Sequence, residues 1–242
     1  MAKAAFWFVG ALVLVACRHV DAGDAHALTI AVDIGHSQKR AGATSARGVP
    51  EFTFNRALGV AVADELRAQG MTVRMIGDDG RANDLRARSA AADGASLFLS
   101  IHHDSAQPQY LESIELDGTL RRVSRRFSGF SLFVSRKNPH LTKSLACASA
   151  IGAALRKAGF KPSPHHAEKI RGENRPFADE TNGVYYFDDL IVLKTAHVPA
   201  VLLEGGIIIN PEDELVLRDP ATRKRIAKAV ASALGCLGKR SV

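Results

Sequence analysis

Residues 28–76, LTIAVDIGHSQKRAGATSARGVPEFTFNRALGVAVADELRAQGMTVRMI, hold one complete strand–helix–strand unit, and their reading decides the fold. Leu28 to Ile34 is a short, nearly continuous apolar run, the pattern of a strand buried on both faces. Phe54 to Gln69 places Leu58, Val62 and Leu66 at a spacing of four, the stripe of an amphipathic helix, and Gly70 ends it. Met71 to Ile76 reads as the next strand. Buried strands alternating with helices belong to an α/β domain with a largely parallel sheet.

Outward from this unit the alternation continues. A helix is expected over about Asp84 to Asp93, and Ser96 to Ile101 is a short apolar strand that delivers His102 and His103 at its C-terminal end, the edge where open α/β sheets bind ligands. Tyr110 to Arg126, with Asp117-Gly118 at its centre, reads as a β-hairpin. Phe130 to Ser135 is a further strand and His140 to Lys157 an alanine-rich helix closed by Gly159. Phe160 to Phe187 has little periodicity and many polar, Gly and Pro residues; it is too long for a plain connection and reads as a substrate-side loop. Pro199 to Leu203 is one more buried strand, ending in Glu204-Gly205-Gly206; Asn210-Pro211-Glu212 punctuates the chain beyond it, and Thr222 to Leu237 is a closing helix. No internal repeat, low-complexity tract or linker interrupts the pattern. The expectation is a single α/β domain over residues 28–242, a twisted, mostly parallel sheet flanked by helices with an extra β-hairpin.

The composition, 46% hydrophobic and 24% charged, is that of an ordinary globular protein with a sizeable core. The net charge is +7, and residues 1–27 carry two basic and two acidic residues (Lys3, Arg18, Asp21, Asp24), so the excess belongs to the rest of the chain. A positive surface favours anionic partners without choosing among them. The concentration at Arg121, Arg122, Arg125 and Arg126 reads as a solvated face, and no interleaving of arginine with aromatic residues suggests a nucleic-acid partner.

Lys3 precedes an apolar run from Ala4 to Ala16, shorter than the roughly 20 residues a membrane span needs but suited to a signal-peptide core. Residues 1–27 therefore read as an export signal, with a periplasmic or cell-envelope destination. Two processing positions fit. Ala25-His26-Ala27 satisfies the small-x-small rule, whereas Leu14-Val15-Ala16-Cys17 resembles a lipoprotein box that would leave Cys17 as a membrane anchor. Cys147 and Cys236 each sit in an alanine-rich helical segment and read as buried thiols rather than a disulfide; neither has zinc-ligand spacing.

Three polar groups fall at element ends: His36 after Val32-Asp33-Ile34-Gly35, Glu51 just before the first helix, and His102 after Ser100-Ile101. Two imidazoles and a carboxylate are the ligand set of many hydrolytic zinc sites. Singly, each also fits a structural role. Glu204 adds weight, because a carboxylate after four apolar residues is costly to bury without a partner or a purpose. A water attacking beside a metal needs a nearby base, and a carboxylate shielded from bulk water suits that task.

These residues resemble the zinc-dependent N-acetylmuramoyl-L-alanine amidases of the type-3 amidase domain, over about Leu28 to Leu237. Asp33-Ile34-Gly35-His36 is similar to the family's Asp-x-Gly-His opening, and Glu51 with Asn55 to its Glu-x-x-x-Asn segment. Ser100-Ile101-His102-His103-Asp104 is similar to its Ser-Ile-His-x-Asn/Asp box, and Pro199 to Glu204 followed by Asn210-Pro211 to its last motif. The resemblance implies Zn2+ held by His36, Glu51 and His102, with Glu204 as the catalytic carboxylate and His103 not a ligand. It implies hydrolysis of the amide between N-acetylmuramic acid and L-alanine in peptidoglycan. Asp33 and Asn55 are candidates to orient ligands or to serve as plain turn and cap residues, and Arg88 reads as structural. Two departures stand out: Ser37-Gln38 replace the family's usual glycines after His36, and Met75-Ile76 replace its Thr-Arg. No helical insertion of the autoinhibitory kind and no obligate protein partner is evident. A zinc peptidase acting on stem peptides, or an inactive peptidoglycan-binding module, are the alternative readings; Glu204 speaks against the second.

Overall fold

The computed structural model describes Met1 and residues 28–238. The apolar run Ala4 to Ala16, both processing positions and Cys17 lie outside the described residues. In chain order the elements are β1 (Thr29–Ile34), α1 (Glu51–Ala68), β2 (Thr72–Ile76), α2 (Leu85–Ala90), β3 (Leu97–Asp104), β4 (Glu112–Leu116), β5 (Thr119–Val123), β6 (Ser131–Val134), α3 (Leu141–Lys157), β7 (Phe177–Asp179), β8 (Val184–Tyr186), α4 (Ile191–Lys194), β9 (Ala200–Ile207), α5 (Pro211–Arg218) and α6 (Pro220–Ser232).

Seven strands form one sheet in the order β2-β1-β3-β9-β6-β8-β7, and β4 pairs with β5 as a separate antiparallel hairpin. Strands β2, β1, β3 and β9 run parallel, β6 joins β9 antiparallel, β8 is parallel to β6, and β7 closes the edge antiparallel to β8. The expected mostly parallel α/β sheet with an extra hairpin is thus what forms.

Period-two alternation sorts the strand residues into two cores. Ile30, Val32, Ile34, Leu97, Leu99, Ile101, Val201 and Leu203 face a cluster completed by α1, α3 and α6. Ala31, Phe98, Ala200 and Leu202 face the other, which includes Val192 and Leu193 of α4. Towards the carboxyl ends of β1, β3 and β9 polar residues take over this second face, at Asp33, Ser100, His102 and Glu204. The site is built there.

Several boundaries move from the expected ones. Helix α1 starts at Glu51, so that carboxylate sits in its first turn, where the positive end of the helix dipole favours it. Strands β3 and β9 run on through the residues expected to follow them, so His102 and Glu204 lie within strands and are paired with each other in register. The segment 160–187 is no plain loop: it carries β7, β8 and a 3-10 turn at His165–Ala167. Asn210 and Pro211 start a helix, the Asn210 Oδ1 accepting from the N–H groups of Glu212 (2.9 Å) and Asp213 (3.2 Å). The closing helix is shorter than expected, with a 3-10 turn at Leu234–Leu237 behind it. Among the described residues no helix is long and apolar enough to cross a membrane.

Cys147 and Cys236 are joined by a disulfide, correcting the reading of separate buried thiols. Each lies in a helical segment as expected, but the 3-10 turn packs on α3 and brings the two Cα atoms to 5.2 Å. The bridge closes a loop of 89 residues. Cross-links of that span restrict the unfolded chain and are worth about 2–5 kcal/mol. Cys236→Ser should therefore lower the unfolding free energy by that amount in urea titration, and an unchanged midpoint would contradict the bridge.

Candidate metal centre

His36 follows β1 with φ at 67°, left-handed for a residue with a side chain, and the loop around it is held accordingly. Buried Arg88 donates to Asp33 Oδ1 (2.5 Å) and to the carbonyls of Ile34 (2.6 Å), Ala82 (2.6 Å) and His36. Ser100 Oγ donates to the other Asp33 oxygen at 2.6 Å. Asp33 thus acts on the His36 loop through Arg88 and touches none of the candidate ligands by these bonds. Ser37, where the resembled motif has glycine, donates to Asn83 Oδ1 (2.7 Å) and accepts from the Arg40 N–H (3.1 Å), closing the loop with side-chain bonds.

The fold brings His36, Glu51 and His102 together from three elements, with donor atoms all within 4.8 Å of one another. His36 Nε2 lies 3.0 Å from Glu51 Oε2 and His102 Nδ1 lies 3.1 Å from Oε1; the two rings meet edge-on at 5.0 Å. Two close approaches depend on glycine. A Cβ at Gly35 would collide with His102 Nε2, and one at Gly42, whose φ is +79°, would collide with Glu51 Oε2. Glu51 is 4% exposed and accepts from Asn55 Nδ2 (3.0 Å), the Ala43 N–H (3.0 Å) and the His103 N–H (3.3 Å). Burial alone would push its carboxyl up, but hydrogen bonds to His102 and His36 outweigh that and hold it well below the usual carboxylate range.

Two imidazoles and an ionised carboxylate whose second bonds are already made by an amide and backbone N–H groups match the chemistry of a zinc ligand set. Asn55 reaches on to His103, Oδ1 to Nδ1 at 2.8 Å. His103 is thereby turned towards α1, and burial lowers its pKa to about 4, so at neutral pH it is an uncharged support beneath Glu51.

Glu204 stands opposite His102 on β9. The residue borders the cleft, yet its Oε2 is buried without a hydrogen-bond partner among the described residues. Burial pushes this carboxyl well above the usual carboxylate range, and the charges of Asp104 and Glu51 push it the same way. The cleft has a volume of about 760 Å³ and is lined by His36, His102 and Glu204 together with Phe133, Arg175 and Phe187.

A second cluster shares this cleft and was not singled out by sequence. His166 Nε2 lies 2.7 Å and His165 Nε2 3.1 Å from one oxygen of Asp104, and His166 Nδ1 lies 2.8 Å from Glu173. Burial would lower the His166 pKa, but Asp104 and Glu173 overcome this and raise it to about 9. The signal for it was a His165-His166 doublet within a polar stretch; only the 3-10 turn and the end of β3 bring the doublet to Asp104.

An open sheet with two imidazoles and a carboxylate oxygen unpaired among the described residues at its carboxyl edge, and a buried carboxylate from the first turn of α1 between the imidazoles, defines an α/β protein organised around a candidate metal centre. The chain belongs to the N-acetylmuramoyl-L-alanine amidase family Amidase_3, whose model matches residues 30–236. It is similar to the "Probable cell wall amidase LytH" of Staphylococcus aureus, at 26% identity over 208 residues that cover 85% of this chain and 57% of the relative's length. The chain thus spans little more than half of that protein. Its fold is that of the amidase Ami1 from Mycobacterium smegmatis (TM-score 0.69, 22% identity, covering 88% of this chain and 98% of the other). It is equally that of the catalytic domain of the amidase CwlV from Bacillus (Paenibacillus) polymyxa var. colistinus (TM-score 0.64, 24% identity, 86% and 96%).

Proposed function

We propose that this chain is an exported hydrolase that cuts the amide between the lactyl group of N-acetylmuramic acid and L-alanine in peptidoglycan, using zinc held by His36, Glu51 and His102. The observation that carries the reading is the register pairing of Glu204 with His102, which sets a carboxylate with one buried oxygen, unpaired among the described residues, beside that triplet in a chain of the amidase family. When bound, zinc supplies Lewis acidity, which lowers the pKa of water to about 7 and polarises an amide carbonyl. Glu204 then takes a proton from the attacking water and returns it to the departing L-alanine nitrogen, since an amine must be protonated to leave. Asn55 and the N–H groups of Ala43 and His103 hold Glu51 in place, and Arg88 holds the backbone of His36. Digestion of purified sacculi followed by mass analysis tests the reaction. Glycan strands bearing free lactyl carboxylates and stem peptides starting at L-alanine are expected, and a chelator should abolish both. Peptides cut within the stem would replace this reading with a peptidase.

Residues 28–242 form the catalytic domain in this reading, and residues 1–27 direct export. Supporting export are the cell-wall substrate and the Cys147–Cys236 bridge, a linkage that persists outside the reducing cytosol. Intact mass of the protein from its native host separates the processing positions. A chain starting at a diacylated Cys17 is a lipoprotein, one starting at Leu28 is a soluble periplasmic enzyme, and a retained Met1 contradicts both.

A further inference from the structure

We infer that Asp104, His165 and His166 form a second divalent-cation site, suited to zinc, on the wall of the same cleft. The three donor atoms lie within 4.8 Å of one another and converge on Asp104 Oδ2. Each imidazole has its other nitrogen engaged from outside. Ser163 Oγ meets His165 Nδ1 at 2.9 Å, and the Glu173 carboxylate meets His166 Nδ1 at 2.8 Å. This carboxylate–histidine arrangement is how metal-ligating imidazoles are oriented, with the inner nitrogen left to the ion. The outer partners are themselves fixed: Glu173 accepts from Gln107 and Arg175, and Tyr185 OH donates to the Ser163 carbonyl at 2.7 Å.

The cluster also reads as a plain ion-pair network, and His165 decides between the two. A proton shared by His166 and Asp104 satisfies that pair. It leaves His165 Nε2, in a side chain only 2% exposed, with no well-directed hydrogen-bond partner among the described residues although it lies 3.1 Å from the same carboxylate oxygen. A buried, unpaired nitrogen of this kind is costly. A cation between the three satisfies all of them at once. Ligands about 2.0–2.2 Å from one ion stand about 3–3.5 Å apart. The His165 pair already has that spacing, and the His166 pair at 2.7 Å has only to open by some tenths of an ångström. Two imidazoles with a carboxylate select a borderline metal such as zinc over magnesium or calcium. Bound there, the ion fastens the 3-10 turn of residues 165–167 to the end of β3, beside Glu204.

The site is independent of the ligand set proposed above, and one experiment separates the two. The purified, metal-stripped full chain is titrated with zinc alone, and zinc per chain is read by mass spectrometry after desalting. Wild type should take up two equivalents, His165→Ala one, His36→Ala one, and the double variant none. The inference is overturned if His165→Ala binds as much zinc as wild type, or if His36→Ala binds none. Loss on His165→Ala with no loss on His36→Ala upholds this site and sinks the first. Should His165→Ala not fold, as judged by its melting transition, Glu173→Gln decides. It keeps all three ligands and removes only an outer partner, so the second equivalent should weaken about 10–100-fold while the first is unchanged; a second equivalent bound as tightly as in wild type overturns the site.

Discussion

Glu204→Gln should leave zinc content and sacculus binding near wild type while lowering turnover at least 100-fold. Gln has the size of Glu and offers an oxygen in the same place, so packing on β9 between β3 and β6 has little reason to change. What disappears is the ability to hold and release a proton beside His102. General acid–base catalysis contributes about 10²–10⁴-fold, and both halves of the proposed proton transfer pass through this one group. Its environment supports the role. The carboxyl lies near the charges of Asp104 and Glu51 and has one oxygen buried, with no donor to it among the described residues. A purely structural carboxylate in such a place would be expected to carry a partner. Substitution by Gln would then relieve the burial of charge and raise the melting temperature without touching turnover. Full activity in the folded variant places the base elsewhere.

The fold was legible where side-chain periodicity and burial coincide. β1, α1, β2, β3 and β9 each show their pattern within a few residues, and for β1, β3 and β9 the reason is that both their faces are covered and most of their length is apolar. Boundaries failed where the usual signals were absent or misleading. Helix α1 is preceded by Pro50, which offers no side-chain cap, so the first turn holding Glu51 reads as loop. Gly205 and Gly206 read as the end of β9, although the strand runs through them to Ile207. Strands β7 and β8 have three residues each, too few to show alternation. The residues of the candidate centre were legible because motifs order them along the chain. What holds them was only partly so: Asn55 does orient Glu51, whereas Asp33 serves the His36 loop through Arg88. The disulfide and the Asp104–His165–His166 cluster join residues 89 and more than 60 positions apart. Pairings at that distance arise from how elements pack, and no local pattern announces them.

His102→Ala should remove one equivalent of zinc and with it the reaction. Its imidazole is the one donor that β3 contributes to the candidate triplet, and its loss leaves His36 and Glu51 as a two-donor set, below the three protein ligands that hydrolytic zinc sites use. Retention at low free zinc should fail, so the variant should resemble chelated wild type. Lewis acidity is worth several kcal/mol of charge stabilisation in the transition state, and about 4 kcal/mol corresponds to about 10³-fold in rate. Turnover should drop by at least that factor. Folding should survive, because Glu51 keeps its bonds from Asn55, Ala43 and the His103 N–H, and Gly35 presents no side chain to collapse onto the space. The measurement is zinc per chain on protein with an intact melting transition, compared with wild type as a difference so that any second bound ion cancels. Undiminished zinc in folded His102→Ala removes His102 from the ligand set. Loss of zinc without loss of amide cleavage would leave the ion a structural part and return the chemistry to Glu204 alone.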